Sequence, residues 1–194
     1  MFKLPVEKLN DFFAAIASTQ SLYMPVDGND GRASYKKWSD GVKLSNALNT
    51  VRSAKDFFFP QTENLCDFNR NGLNIEIIDN RKESEDFVVF GVRACDARSF
   101  TILDKVFLVD PVDSYYATRR EHGTIVTMAC TSPEENCFCN VFGIDAAAPE
   151  GDAACWLTAD ALYIKANNEK GEKFIESVKS LLTECGSEAV EAQQ

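Results

Sequence analysis

The sequence lacks the features that mark membrane-spanning and exported proteins. No apolar run approaches the roughly 20 residues that a spanning helix needs. The amino-terminal stretch "MFKLPVEKLNDFFAAIAS" is interrupted by Lys8, Asn10 and Asp11, and it does not show the charged-then-apolar order of a secretory signal. We therefore expect a cytoplasmic protein without a membrane span.

Positive charge is also scarce in this chain. The 20 Lys and Arg residues face 30 Asp and Glu residues, which gives a formal net charge of −10. Nucleic acids and anionic membranes bind basic surfaces, and no run of basic residues offers such a surface here. The composition thus argues against a nucleic-acid partner.

Common catalytic motifs are missing as well. The sequence contains no G-x-G-x-x-G, no P-loop and no H-E-x-x-H, so nothing supports a nicotinamide or flavin site. It contains one histidine, His122. A cysteine nucleophile needs a base, so a pair of His122 with a thiol stays an alternative, although a lone histidine is more often structural.

Apolar periodicity predicts an α/β (mixed α+β) fold, with a mixed β-sheet flanked by helices. We expect one domain over residues 1–185, followed by a flexible tail or linker over 186–194. In the helix after "DFVVFGVR", Asp96 is the predicted N-cap. The predicted strands are "SLYMPV", a half-buried "LNIEIID", a fully buried "DFVVFGVR", "TIVTMA" and "ALYIKA". The predicted helices are "PVEKLNDFFAAIAS", "ARSFTILDKVFL" and "GEKFIESVKSLLTEC".

The chain has seven cysteines, and four of them are placed to share one site. Cys95 follows the strand "DFVVFGVR" and Cys130 follows "TIVTMA", so both lie at carboxyl strand ends if these strands are parallel neighbours. In an extended segment, Cys137 and Cys139 point to one face while Phe138 points into apolar packing. We expect loops at the strand ends to bring the four thiols together.

A metal or cluster is favoured over disulfides, because the total of seven cysteines is odd and no export signal is present. The pattern C, a long gap, then C-x₆-C-x-C fits neither a zinc ribbon nor a ferredoxin run. A [4Fe–4S] cluster is favoured, and zinc stays open. Arg93, Arg98 and Arg119 are candidates to offset the negative charge of a cluster. The remaining cysteines are expected in the core: Cys66, Cys155 and Cys185.

Four stretches carry a resemblance to a known family: "NTVRSAKDFFFPQTENL", "VVFGVRACDARSFTILDKVF", "DSYYATRRE" and "CFCNVFG". Together they resemble the N-terminal domain of the iron–sulfur electron-transfer subunits found in anaerobic sulfite reductase and, as the beta subunit, in sulfhydrogenase-type nickel–iron hydrogenases. The resemblance implies that Cys95, Cys130, Cys137 and Cys139 ligate one [4Fe–4S] cluster. The family usually has "VRPCD", and Ala94 replaces the proline here.

The resemblance also implies a role in a larger complex. The domain would be an electron-transfer component rather than a catalyst on its own. It would relay electrons between two other subunits, one linked to flavin or NAD(P)H and one catalytic, and a ferredoxin-like module would follow it or come from another chain. Two alternatives stay open: a zinc-stabilised interaction module without redox function, and a catalytic iron–sulfur or thiol reductase domain.

Overall fold

The structure, a computed structural model, describes residues 1–186, without the side chains of residues 82 and 83. Most of the tail predicted for residues 186–194 therefore lies outside the described residues. The helices are α1 (Leu9–Ala17), α2 (Ala94–Phe107), α3 (Ser114–His122) and α4 (Glu169–Val178). The strands are β1 (Phe2–Pro5), β2 (Ser21–Asp27), β3 (Ala33–Lys37), β4 (Asp67–Asn71), β5 (Asn74–Ile78), β6 (Phe87–Val92), β7 (Gly123–Met128), β8 (Ala153–Leu157), β9 (Ala161–Ala166) and β10 (Thr183–Glu184).

Eight strands form one mixed sheet in the order β10-β1-β9-β8-β7-β6-β2-β3. The four central strands β2, β6, β7 and β8 run parallel, and the outer strands pair antiparallel. The predicted mixed α/β architecture is confirmed, including the parallel pairing of the strands that precede Cys95 and Cys130. No helix in residues 1–186 has both the length and the apolar character to cross a bilayer.

Strand β6 is buried on both faces, as its unbroken apolar sequence predicts. Val88 and Phe90 face one core cluster, which α1 and α4 cover with aromatic side chains. Val89 and Val92 face a second cluster under α2 and α3. Each fully buried side chain of this size contributes about 1.5–3 kcal/mol through the removal of apolar surface from water. The sheet is therefore held from both sides.

A bulge in β6 explains how the strand feeds α2. Phe90 is paired with Val126 and Val92 with Thr127, so Gly91 is an extra residue in β6. Gly91 has φ +78°, and a Cβ there would lie 3.1 Å from the Pro25 ring. Glycine adopts this backbone conformation without strain. The bulge reverses the alternation of side chains, so that Val92 faces the same core cluster as Val89.

Two predictions about these elements are wrong. "LNIEIID" forms a strand, β5, but it pairs only with β4 in a separate hairpin whose residues are mostly exposed. Its alternating pattern therefore does not bury one face within the described structure. Asp96 does not cap α2, because the helix begins earlier and its N-cap is Arg93. The Asp96 carboxylate instead lies 3.1 Å from Lys55 Nζ and ties α2 to the short helical turn Ala54–Phe57.

Candidate metal centre

The fold brings two of the predicted cysteine ligands to one edge of the sheet. Cys95 lies in the first turn of α2, directly after β6. Cys130 is the second residue after β7. Because β6 and β7 are parallel neighbours, both residues lie at the carboxyl ends of the strands. Ligands of open α/β sheets bind at this edge.

All four predicted ligands line one cavity of about 390 Å³. Cys137 and Cys139 reach it from the long loop after β7. The structure thus brings together thiols that are up to 44 positions apart in the sequence. None of these four thiols is joined in a disulfide within the described part of the chain.

The thiols of this cavity interact electrostatically. Burial raises the pKa of Cys95, and the neighbouring charges of Asp96, Cys139 and Cys130 raise it further. Burial also raises the pKa of Cys130, although the nearby Arg93 guanidinium opposes this. Because a metal binds the thiolate, these protons must leave when a metal or cluster is bound.

Backbone hydrogen bonds fold the "CFC" loop back onto the sheet edge. Cys130 N–H donates to Ala146 O at 2.9 Å, and Ile144 N–H donates to Cys139 O at 3.0 Å. Glu134 N–H points at Cys137 Sγ, with 3.3 Å between N and S. Such N–H···S contacts are among the factors that tune iron–sulfur sites. The loop therefore supplies a backbone donor to one of the predicted ligands.

The local conformation of this loop differs from the prediction. The segment is not extended, because a short helical turn covers Cys139–Phe142 and is followed by Gly143, which has φ +63°. Phe138 does not enter apolar packing: it is 58% exposed and contacts the ring of Phe142. Strand alternation therefore does not explain why Cys137 and Cys139 line the same cavity.

Arg93 is the one predicted cation that lines the cavity. Its guanidinium donates to three backbone carbonyls: Ala47 O at 2.9 Å, Leu48 O at 3.1 Å and Ala129 O at 3.2 Å. The side chain thus fastens the segment around residues 47–49 to the strand end and holds a positive charge near Cys130. Sequence reasoning missed this segment, which contributes Leu48 and Asn49 to the cavity wall.

The structure does not bring the other two arginines to the cavity wall. Arg98 Nη2 lies 2.8 Å from Glu150. Arg119 belongs to α3, which precedes β7 and so lies toward the amino end of that strand. Its Nη1 lies 2.7 Å from Glu63. The expectation that Arg119 offsets charge at the thiols is therefore not supported by its position.

The alternative with a Cys–His pair also lacks geometric support. His122 Nδ1 lies 2.7 Å from Asp86 Oδ1, at the amino ends of the strands and away from the thiol cavity. Of the cysteines expected in the core, Cys155 is fully buried, but Cys66 is exposed and Cys185 is half-buried. The prediction is therefore confirmed for Cys155 and wrong for Cys66.

Within the described residues, no group of three or more His, Cys, Asp and Glu side chains is arranged to hold a single metal ion. A tetrahedral zinc ion with Zn–S bonds of about 2.3 Å requires sulfurs about 3.8 Å apart. The four thiols that line the cavity are therefore not arranged as a preformed site for a single zinc ion.

Comparisons with known proteins bear on the family to which the chain is related. No family model matches the chain, and no solved structure matches it. The chain is 30% identical over 173 residues to Sulfhydrogenase 2 subunit beta from Pyrococcus furiosus. The match covers 89% of this chain, and the chain spans about half of that relative, since 50% of it is covered. This similarity confirms the predicted link to the sulfhydrogenase beta-subunit family, while the link to sulfite reductase stays a prediction.

Proposed function

We propose that the chain is an electron-transfer domain that binds one [4Fe–4S] cluster through Cys95, Cys130, Cys137 and Cys139. In a hydrogenase or sulfite reductase complex, it relays electrons between two other subunits, one linked to flavin or NAD(P)H and one catalytic. It is not a catalyst on its own. One observation carries this proposal: the four thiols line a single cavity at the carboxyl ends of β6 and β7.

The cavity suits a cluster in size and in chemistry. A volume of about 390 Å³ equals that of about a dozen water molecules at about 30 Å³ each, which leaves room for eight inorganic atoms. Four thiolates are the usual ligand set of a [4Fe–4S] cluster, which supplies one-electron chemistry when bound. The donor set and the space therefore fit this cofactor.

Two groups of the chain are placed to adjust the electrostatics of the site. Arg93 brings a positive charge close to Cys130, and the backbone N–H of Glu134 points at Cys137 Sγ. Both favour negative charge on the thiolates, and a bound cluster carries such charge through its sulfurs. Because Arg93 is held by three backbone carbonyls, its charge stays in place when the electron count changes.

The proposal is tested by anaerobic reconstitution of the full chain with iron and sulfide. We expect about four irons per chain, since four thiolates define a [4Fe–4S] site, and a paramagnetic resonance signal after one-electron reduction. Cys137→Ser and Cys139→Ser should lose most of the iron. Cys66→Ser should keep it, because Cys66 is exposed and does not line the cavity.

Three results would contradict the proposal. Full iron and sulfide in both serine variants would show that the ligand set is wrong. A colourless protein that binds zinc would support the interaction-module alternative. Turnover of sulfite, hydrogen or a disulfide by the isolated chain would show that the domain is itself catalytic.

A further inference from the structure

The loop that carries two of the cysteines exposes an unusual amount of apolar surface. Phe138, Val141 and Phe142 are 58%, 75% and 65% exposed. The ring centroids of Phe138 and Phe142 lie 5.6 Å apart, and these two rings together with the neighbouring Val141 are here called the loop patch. Exposed apolar patches bordered by polar residues mark interaction sites in soluble proteins.

The loop patch lies directly beside the thiol cavity. Phe138 separates Cys137 from Cys139, and Val141 and Phe142 belong to the short helical turn that begins at Cys139. Both cysteines line the cavity. A protein that covers the loop patch therefore contacts the segment that carries two of the thiols.

The surroundings of the loop patch are acidic. Residues 131–150 contain no Lys, Arg or His. Four acidic residues lie in this segment: Glu134, Glu135, Asp145 and Glu150. Glu150 is paired with Arg98, and Glu134 accepts a hydrogen bond from Asn49 at 2.6 Å, so not all of this charge is free. The whole chain carries a net charge of −10, which adds to the negative field.

We propose that the loop patch docks a redox protein that presents an apolar surface ringed by Lys and Arg. This inference rests on the proposed function, because it names the partner of the same cluster. Opposite charges steer the encounter, and the apolar centre holds the complex. The cluster that the four cysteines would hold would supply one electron to the docked acceptor and be oxidised by one electron, with no bond or proton exchanged.

A second exposed apolar surface provides a matched control. The hairpin β4–β5 exposes Phe68, Ile75 and Ile77, and its register places Phe68 opposite Ile77. No residue of this hairpin lines the thiol cavity. A partner that simply follows apolar surface would use the hairpin as readily as the loop patch.

The test uses the full chain with its cluster and cytochrome c as the probe, because this small haem protein has an apolar haem edge ringed by lysines. Calorimetry at low ionic strength measures the affinity, and hydrogen exchange of the amides locates the contact. The variants are Val141→Ser with Phe142→Ser, Glu135→Gln, and the control Ile75→Ser with Ile77→Ser. Iron content and the paramagnetic resonance signal are measured for each one.

We expect the double loop-patch variant to bind cytochrome c roughly tenfold more weakly, since truncation of anchor residues has effects of this size. Glu135→Gln should weaken binding severalfold at low salt and little at high salt. The hairpin variant should bind within about twofold of the unchanged protein. Amides of residues 131–150 should be protected on binding, and those of β4–β5 should not. The double loop-patch variant should reduce hexaammineruthenium(III), a small cation that needs no docking surface, at the same rate as the unchanged protein.

Two kinds of result would overturn the inference, and they are distinguishable. If the cluster is present but the loop-patch variant binds normally, or if the hairpin variant is weakened equally, the docking surface is wrong and the proposed function stands. If the unchanged chain holds no cluster after reconstitution, the proposed function fails and the docking inference fails with it.

Discussion

The two ends of the parallel strands differ in how their polar groups are used. The amino end has the larger cavity, about 690 Å³, compared with about 390 Å³ at the carboxyl end. At the amino end His122 is paired with Asp86, and Lys170 Nζ donates to the carbonyls of Arg120 and Gly123 at 2.7 and 2.6 Å. At the carboxyl end, four thiols share one cavity.

The candidate metal centre is thus distinguished by its set of four thiols and not by the size of its cavity. Charged groups that are paired with each other or with backbone carbonyls stabilise the fold but offer little to a ligand. The thiols that line one cavity are not joined in disulfides that would stabilise the fold, so they are available to a ligand.

The largest effect is expected from paired substitutions at the two ends. Cys130→Ser should abolish cluster assembly, because it removes one of the four proposed ligands. His122→Gln should leave iron content unchanged, since His122 pairs with Asp86 at the opposite end. Iron and sulfide analysis after anaerobic reconstitution measures both. Equal iron in the two variants would remove the distinction between the ends.

Thiol reactivity should separate the cavity from the core. Burial raises the pKa of Cys155 to about 12, against the opposing influence of Arg93. At pH 8 its thiolate fraction is then roughly a thousandfold below that of an ordinary thiol, and burial blocks access as well. Alkylation of the cluster-free protein followed by mass spectrometry should modify the exposed Cys66 and Cys137 within minutes and Cys155 only after unfolding. Rapid modification of Cys155 in the folded protein would contradict this.

Removal of the arginine at the carboxyl end should destabilise the protein more than removal of one at the amino end. Arg93→Met leaves three backbone carbonyls without their donor, which we expect to lower the free energy of unfolding by about 3 kcal/mol. Arg119→Met breaks one partly exposed ion pair with Glu63, with a cost of about 1 kcal/mol. Urea unfolding measures both, and similar losses would show that the Arg93 contacts are no more important.

The smallest effect concerns acid stability. Burial raises the pKa of Asp104, but hydrogen bonds from Arg120 and Tyr116 outweigh it, so the pKa lies below its usual value. A lowered folded pKa stabilises the protein above the unfolded pKa of about 3.9, and this stabilisation is lost as the pH falls through the folded value. Asp104→Asn should lower the free energy of unfolding by about 1–2 kcal/mol at pH 7 and by less at pH 3.

Unfolding curves of Asp104→Asn at the two pH values provide the check for this prediction. The exposed pair of Lys179 and Glu176 offers the control, and Glu176→Gln should change the free energy of unfolding little at either pH. A constant loss between pH 7 and pH 3 for Asp104→Asn would contradict the role assigned to its ionised form.

Most of the central sheet could be predicted from local pattern. The continuous apolar run of β6 identifies a strand buried on both faces, and the spacing of Phe12, Phe13 and Ile16 identifies the buried face of α1. The hairpin β4–β5 shows the limit of this reasoning, because alternation predicts a buried face that nothing within residues 1–186 provides. Periodicity reports which residues could share a face, and only the packing of other elements decides whether that face is covered.

The same limit applies to the site. The cysteines could be selected from the sequence, because thiols next to buried strands follow a rule about strand ends. The contribution of Leu48 and Asn49 could not, since no local signal indicates that Arg93 fastens that segment to the cavity. The exposed position of Cys66 was also missed, because burial of an isolated cysteine depends on what packs against it.

The sequence by itself determined the class of the fold, the strands at the centre of the sheet and which residues carry thiols. These depend on the apolar period and the side-chain chemistry of short segments. Only the tertiary structure decided that four distant thiols share one cavity and that Arg93 lies beside them while Arg119 does not. That outcome depends on the order and direction of the strands, which place residues far apart in the chain at one edge or at opposite edges of the sheet.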